Sequence, residues 1–240
     1  MSAIAEKTVR ELALESSSAT RVFERLGIDY CCGGNKSLDE ACQVAKLPLE
    51  QVQQELDTAE KASQKVADRD WQRKPLSELI AHINAMHHKF VRTEIVRIMA
   101  LLEKVCGVHG KNHAELLHIQ ALFHGLAREL TSHMMKEEMV LFPYITRMEE
   151  SVIQGEPLLP PPFGTVANAV AMMEHEHEAA GNALRAMRKA SNDYVAPEGA
   201  CASYQALYRA FVEFEADLHQ HIHLENNVLF PRAVKIEKRN

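Results

Sequence analysis

One pattern occurs twice in this 240-residue sequence and restricts its fold more than any other feature. The pattern begins at His133 and again at His221, and both copies carry Glu, Val, Leu, Phe and Pro at the same offsets. Positions four residues apart in an α-helix differ by about 40° around its axis, so each copy projects an imidazole and a carboxylate from one face. The apolar residues continue that face, and the proline limits how far a regular helix runs beyond it. The repeat therefore predicts two helices, each with a chelating pair.

Four long stretches of the chain carry apolar residues at the three- and four-residue spacing of amphipathic helices. They cover residues from Leu76 to about 110, about 114–146, about 166–191 and about 202–234. A proline-rich connection separates the second stretch from the third. Glycine and proline, at 10 and 9 residues, are few for this length, which also favours helices. The sequence predicts an all-α protein with an up-and-down four-helix bundle in its C-terminal part.

The first quarter of the chain carries the start signals of shorter helices. Thr8–Glu11 and Ser37–Glu40 both fit the capping box. Between them, Gly27 can end a helix, and Gly33–Gly34 permits backbone angles that other residues resist. The segment Asp29-Tyr-Cys-Cys-Gly-Gly34 therefore lies on a loop. We expect a small helical domain at residues 1–62, a linker at 63–75 and the bundle at 76–240.

Charge and hydropathy exclude several classes of protein. The formal net charge of -6 offers no attraction to phosphate backbones, so nucleic acid is not an expected partner. No stretch approaches the ~18 apolar residues of a membrane span, and the start lacks the pattern of a signal peptide. These features predict a cytoplasmic protein that does not bind membranes. Five cysteines, two of them adjacent, are interpreted as free thiols in that compartment.

Histidines recur at one level of the predicted bundle. The spacings between successive members of this set are 45, 44 and 44 residues, as expected when each helix returns the chain to one height: His88, His133, His177 and His221. With the glutamates of the repeat, Glu137 and Glu225, they form a cluster that would cost several kcal/mol to bury without partners. Imidazole and carboxylate ligands suit iron, zinc or manganese, and six ligands are too many for one tetrahedral ion. The pattern favours two ions bridged by carboxylates, with vacant coordination positions.

Spacing alone leaves several ligand assignments open. A shift of one or two residues keeps the rhythm, so His87 can replace His88 and His175 can replace His177. His219 and His223 flank the ligand on the last helix and are further alternatives. A mononuclear zinc site with a structural role is the alternative interpretation of the whole cluster.

Three segments together resemble the iron–sulfur cluster repair di-iron proteins, the repair-of-iron-centres family: residues 29–34, 133–138 and 221–232. The resemblance spans nearly the whole chain and implies a ScdA-like N-terminal domain followed by a hemerythrin-like bundle. It also implies the iron ligands, and so selects among the alternatives by analogy: His88, His133, Glu137, His177, His221 and Glu225. Two iron ions per chain, with oxo and carboxylate bridges, and a homodimer in the bacterial cytoplasm are further implications.

The function implied by this resemblance is repair of iron–sulfur clusters damaged by nitrosative or oxidative stress. Iron donation, or nitric oxide binding and reduction at the di-iron centre, is the expected route. Damaged iron–sulfur proteins and nitric oxide or other small diatomic ligands are the expected partners.

Cys31 and Cys32 are candidate functional thiols, which can accept iron, bind nitric oxide or exchange electrons with the site. Small packing residues at a turn are the alternative interpretation of this pair. The rival function is a hemerythrin-like module that binds or senses oxygen or nitric oxide without turnover. The thiol loop argues against pure oxygen carriage, because storage needs no thiols.

Overall fold

The computed structural model describes residues 3–63, 71–157 and 160–238. Every regular element within these ranges is a helix, which confirms the predicted all-α fold. The chain divides into two compact units: Met1–Pro75 with His219–Arg232, and Leu76–Leu218 with Ala233–Asn240. The domain boundaries expected at residues 62 and 76 stay a prediction, and most of the expected linker lies outside the described residues.

The N-terminal part of the first unit consists of short helices around their own apolar core. They span Ala3–Glu6 (α1), Val9–Glu15 (α2), Ser17–Leu26 (α3), Leu38–Ala45 (α4) and Leu49–Ser63 (α5). Thr8 and Ser37 each form the reciprocal capping box that the sequence predicts. Gly27 ends α3 in the left-handed region, at φ 66°. These local signals are read correctly because they depend on neighbours in the sequence.

The loop between α3 and α4 needs its glycines for a reason other than the one expected. Neither Gly33 nor Gly34 has a positive φ. A Cβ atom on Gly34 would instead lie 2.7 Å from the carbonyl oxygen of Tyr30, and one on Gly33 would lie 3.1 Å from Oδ2 of Asp29. Close approach of the Tyr30 carbonyl, not left-handed backbone, therefore disfavours a larger residue at Gly34, whereas a Cβ atom at Gly33 requires only a small movement of the Asp29 side chain.

Four long helices carry the predicted ligands, and three of them contain a π-helical segment. The first comprises Leu76–His82, π-helical Ile83–His88 and Lys89–His109, and the second comprises Glu115–Lys136, π-helical Glu137–Leu141 and Phe142–Gln154. The third is Val166–Ala190, and the fourth comprises Ala202–His223, π-helical Leu224–Leu229 and Phe230–Glu237. Within the second unit, the second helix packs against the first and the third. None of the described helices is long and apolar enough to cross a membrane.

The prolines of the repeat do not stop their helices, contrary to the sequence prediction. The second helix continues past Pro143 to Gln154, and the fourth continues past Pro231 to Glu237. Each proline follows a π-helical segment and occupies the first turn of the next α-helical segment. A proline in a first turn costs little, because its missing N–H is not needed there.

Candidate metal centre

The π-helical segments coincide with the predicted ligands. His88 is the last residue of the first segment, Glu137 begins the second, and Glu225 is the second residue of the third. The backbone N–H of Phe142 donates to the carbonyl of Glu137, and that of Phe230 donates to the carbonyl of Glu225, each five residues back. Such turns are rare in proteins and occur mostly at functional sites. The α-helical spacing of the sequence pattern gives no sign of them.

The carboxylate of Glu137 lies between two predicted ligands of the same unit. Its Oε2 atom is 3.4 Å from Nε2 of His88 and 3.4 Å from Nε2 of His133. His177 approaches from the third helix, and its Nε2 atom is 2.9 Å from Nε2 of His133. All four side chains are buried. Two imidazole nitrogens cannot both accept at this distance, so a proton or a cation belongs between them.

The other copy of the repeat forms the chelating pair that its spacing predicts. On the fourth helix, Nε2 of His221 lies 3.0 Å from Oε1 of Glu225, and both side chains are buried. Like His88 and His133, His221 directs Nε2 rather than Nδ1 at a carboxylate of the repeat. The same ring nitrogen is therefore used in both copies.

Two carboxylates outside the predicted set hold the imidazoles in place. Nδ1 of His88 donates to Glu138 at 2.7 Å, and Nδ1 of His133 donates to Glu176 at 2.8 Å. A proton on Nδ1 leaves the lone pair on Nε2, which is the tautomer a metal ligand requires. Sequence reasoning missed these two glutamates, because each stands in a run of acidic and histidine residues in which no motif distinguishes it.

Both supporting carboxylates are paired with cations that keep them ionised. Arg92 donates to Glu138 at 2.8 Å, and Lys136 donates to the other oxygen of Glu176. Burial alone would raise the pKa of each glutamate. Hydrogen bonds from the histidine and the basic partner outweigh burial, and the pKa of Glu138 and of Glu176 falls below its ordinary value. The imidazoles therefore face full negative charges on the side away from the cluster.

The buried side chains of the second unit include a group that can hold a metal ion: His133, Glu137 and His177. His88 lies beside the same glutamate, and the first unit contains the buried pair His221 and Glu225. Their donor set of imidazole nitrogens and carboxylate oxygens fits iron, and contains no thiolate of the kind that marks structural zinc sites.

Three of the histidines that spacing left as alternatives have other partners, and the fourth is exposed. His87 is buried, with Nδ1 3.0 Å from Asp217, and His219 contacts Glu24 at 2.9 Å. His223 is buried and accepts from the side-chain amide of Asn227 at 2.8 Å. Burial, with a smaller effect of the Arg10 charge, lowers the pKa of His223 to about 4, so that it is neutral near pH 7. His175 is exposed.

The thiol loop is organised by Asp29. Its Oδ1 atom accepts from the backbone N–H groups of Cys31, Cys32 and Gly33 at 2.9 to 3.2 Å. The two Sγ atoms lie 3.8 Å apart and form no disulfide. The contact with Cys32, together with burial, raises the pKa of the Cys31 thiol well above its ordinary value. Asp29 and the two thiols form a further group that can hold a metal ion.

The same unit joins this loop to the ligand-bearing segment of the fourth helix. The side-chain amide of Asn227 donates to the carbonyl of Tyr30 at 3.1 Å, and the Tyr30 ring packs edge-on against His223 at 5.4 Å. Arg10 donates to the carbonyl of Asn226 at 3.4 Å. The residues that immediately follow Glu225 therefore contact the loop that carries the thiols.

Comparison with known proteins agrees with both parts of the chain. Residues 5–60 match the family described as ScdA_N, a domain of unknown function (DUF542), and residues 78–233 match the hemerythrin HHE cation binding domain. The chain is similar to a protein of Pectobacterium atrosepticum named iron-sulfur cluster repair protein YtfE, with 37% identity over 97% of this chain and 98% of that protein. The proteins of that name from Dickeya chrysanthemi and Yersinia pseudotuberculosis are 35% and 34% identical, over 97% and 94% of this chain and 98% and 96% of their own lengths. The chain belongs to the family of iron–sulfur cluster repair proteins that join a ScdA-like N-terminal domain to a hemerythrin-like domain.

Proposed function

We propose that this protein repairs iron–sulfur clusters damaged by nitrosative or oxidative stress, and that it acts from a di-iron centre. The observation that carries the proposal is that Oε2 of Glu137 lies 3.4 Å from Nε2 of both His88 and His133. A carboxylate has two oxygens and can bridge two ions, as in other di-iron bundles. The names of the relatives indicate the class of substrate, which is a damaged iron–sulfur protein.

In this proposal the six predicted ligands would hold two iron ions: His88, His133, His177 and His221 through imidazole nitrogens, and Glu137 and Glu225 through carboxylates. Bound iron would supply positions for nitric oxide or another diatomic molecule, and ions that can pass to a damaged cluster. The protein contributes fixed tautomers through Glu138 and Glu176, and burial that excludes bulk water.

The decisive experiment mixes the iron-loaded protein with an iron–sulfur enzyme that nitric oxide has inactivated, under anaerobic conditions. We expect recovery of the client's activity to be faster than with the apo-protein or with an equal amount of free ferrous iron. Iron-57 loaded into the repair protein should appear in the restored cluster if iron is donated. If nitric oxide is only removed and reduced, activity should return without the label. A rate no faster than that of free ferrous iron would refute repair and leave the alternative of a ligand-binding module without turnover.

Metal analysis with Mössbauer spectroscopy tests the centre itself. About two magnetically coupled iron ions per chain are expected from a bridged pair. One zinc ion per chain would contradict the di-iron proposal.

Substitution of Cys31 and Cys32 by serine should distinguish the delivery of iron from its storage in the protein. The loop that carries these thiols contacts the segment containing Glu225, whereas neither thiol belongs to the His and Glu groups. We therefore expect iron content to be unchanged and the repair rate to fall by roughly tenfold, equivalent to about 1.4 kcal/mol. Cys201→Ser, at an exposed position elsewhere, is the matched control and should repair as wild type does. A normal repair rate of the double variant would show that these cysteines contribute only to packing.

The proposal also includes the cellular compartment and the oligomeric state of the protein. The family resemblance supports a homodimer without nucleic acid or membrane partners, and the free cysteines support the bacterial cytoplasm. Analytical ultracentrifugation of the iron-loaded protein measures the assembly, and a sedimenting monomer would contradict it.

A further inference from the structure

A cavity of about 300 Å³ lies between the second and third helices, beside one half of the candidate metal centre. Its lining includes the buried side chains of His133 and His177, whereas Glu129, Ser132 and Ala179, which also line it, are exposed. The cavity therefore connects solvent with two imidazoles. Since a water molecule takes about 30 Å³ of liquid volume, the space can accommodate an ion with its six waters.

A lysine–glutamate ion pair lines this cavity. Lys136 and Glu176 both line it, and each side chain is about one-third exposed. One oxygen of Glu176 accepts from Nδ1 of His133 at 2.8 Å, and the other pairs with the ammonium of Lys136. A single carboxylate thus supports a ligand and holds a positive charge on the path that leads to it.

Glu138, which supports His88, makes the same two kinds of contact as Glu176. Glu138 accepts from Nδ1 of His88 at 2.7 Å and pairs with Arg92 at 2.8 Å. Neither Glu138 nor Arg92 is among the residues that line this cavity. The two carboxylate–cation pairs are therefore matched in their contacts and differ in their access to the cavity.

We propose that iron leaves and enters the centre through this cavity, and that the Lys136–Glu176 ion pair slows its passage. The inference rests on the proposed di-iron function and adds a route and an order of release. An ammonium group on the path repels a ferrous ion, and the paired side chains narrow the opening. The ion beside His133 and His177 is therefore the first to exchange, and remains ferrous when an acceptor takes it.

Chelator kinetics test the route on the full-length protein loaded with two ferrous ions under anaerobic conditions. A colorimetric ferrous chelator should remove iron in two phases, the faster of which corresponds to one ion per chain. Lys136→Met should accelerate that phase about fivefold, the factor that about 1 kcal/mol gives. Ala179→Phe should slow it, because the new ring occupies the cavity from an exposed position. Arg92→Met is the matched control and should change neither phase by more than about twofold.

The outcomes separate the route from the function on which it rests. Iron content and circular dichroism are measured first for every variant, and Lys136→Gln replaces Lys136→Met if the latter folds poorly. Wild-type protein that holds no iron overturns both proposals. Wild-type protein with two ions, whose release is unaffected by Lys136→Met and Ala179→Phe, overturns the route alone. Equal acceleration by Arg92→Met also overturns it, because that cation does not line the cavity.

Discussion

Replacing Glu137 by alanine is expected to abolish stable binding of both iron ions. Oε2 of Glu137 lies 3.4 Å from Nε2 of both His88 and His133, so one substitution would remove a donor shared by the proposed ligands of both ions. The affinity should fall by more than the roughly 10- to 100-fold that loss of a supporting residue costs. Iron per chain after desalting, measured colorimetrically, gives the result directly. Repair activity should be lost in parallel.

Two neighbouring glutamates supply the controls for this substitution. Glu138→Ala removes the support of His88 but no predicted ligand, so affinity should fall by roughly 10- to 100-fold and iron should return at saturating concentration. Glu178→Ala removes an exposed carboxylate next to His177 and should bind iron as wild type does. Unchanged helicity by circular dichroism excludes misfolding. Two firmly bound ions in Glu137→Ala would rule out the bridging role.

The ligand pairs of the repeat can be predicted from the sequence because their spacing is that of one helical turn. His221 and Glu225 are separated by about one turn, and that spacing predicts that their side chains share a face, where the structure places them 3.0 Å apart. His88 and His177 required the spacing of the whole bundle and a family resemblance, because adjacent histidines satisfy the same rhythm. The structure buries His177 and leaves His175 exposed, whereas His87 is buried like His88 and differs from it by its contact with Asp217. Burial is a property of tertiary packing and could not be read from spacing.

The two copies of the repeat differ where their surroundings differ. Glu138 follows the first glutamate and supports His88 from another helix, whereas Asn226 and Asn227 follow the second. Through their backbone or side-chain groups, these asparagines contact Arg10 and Tyr30 of the N-terminal part. Sequence comparison of the copies shows that these positions diverge. The reason lies in partners distant in the chain, which only the fold identifies.

The π-helical segments were missed because an α-helix was the natural reading of an amphipathic pattern. A π-helical turn changes the backbone hydrogen bonds from four to five residues back, and it is rarely adopted without a functional reason. The repeated proline was the available signal, since Pro143 and Pro231 each follow such a segment. From the sequence the proline predicts a limit on the regular helix, whereas the π-helical turn places it in a new first turn.

Removing iron is expected to lower the thermal stability of the protein by about 10 °C. A ligand that binds only the native state stabilises it by about 2.7 to 4.1 kcal/mol at 100 to 1,000 times its dissociation constant, and each kcal/mol shifts the melting temperature by about 2–4 °C in a domain of this size. The buried imidazoles and carboxylates of the centre give the bound ions this selectivity for the folded chain. Differential scanning calorimetry of the iron-loaded and apo forms measures the shift.

Removing iron should weaken the structure around the ligands before it lowers the stability of the whole fold. Glu137 and Glu225 belong to π-helical segments, so ions bound to their carboxylates hold those turns in place. Without iron, amide hydrogens in Glu137–Leu141 and Leu224–Leu229 should exchange faster, while those of the uninterrupted helix Val166–Ala190 should change less. Glu137→Ala combined with Glu225→Ala provides the control, because its melting temperature should not respond to iron. Equal melting temperatures for apo and iron-loaded wild type would show that the ions do not stabilise the fold, and uniform exchange would remove the link between ligation and the π-helical turns.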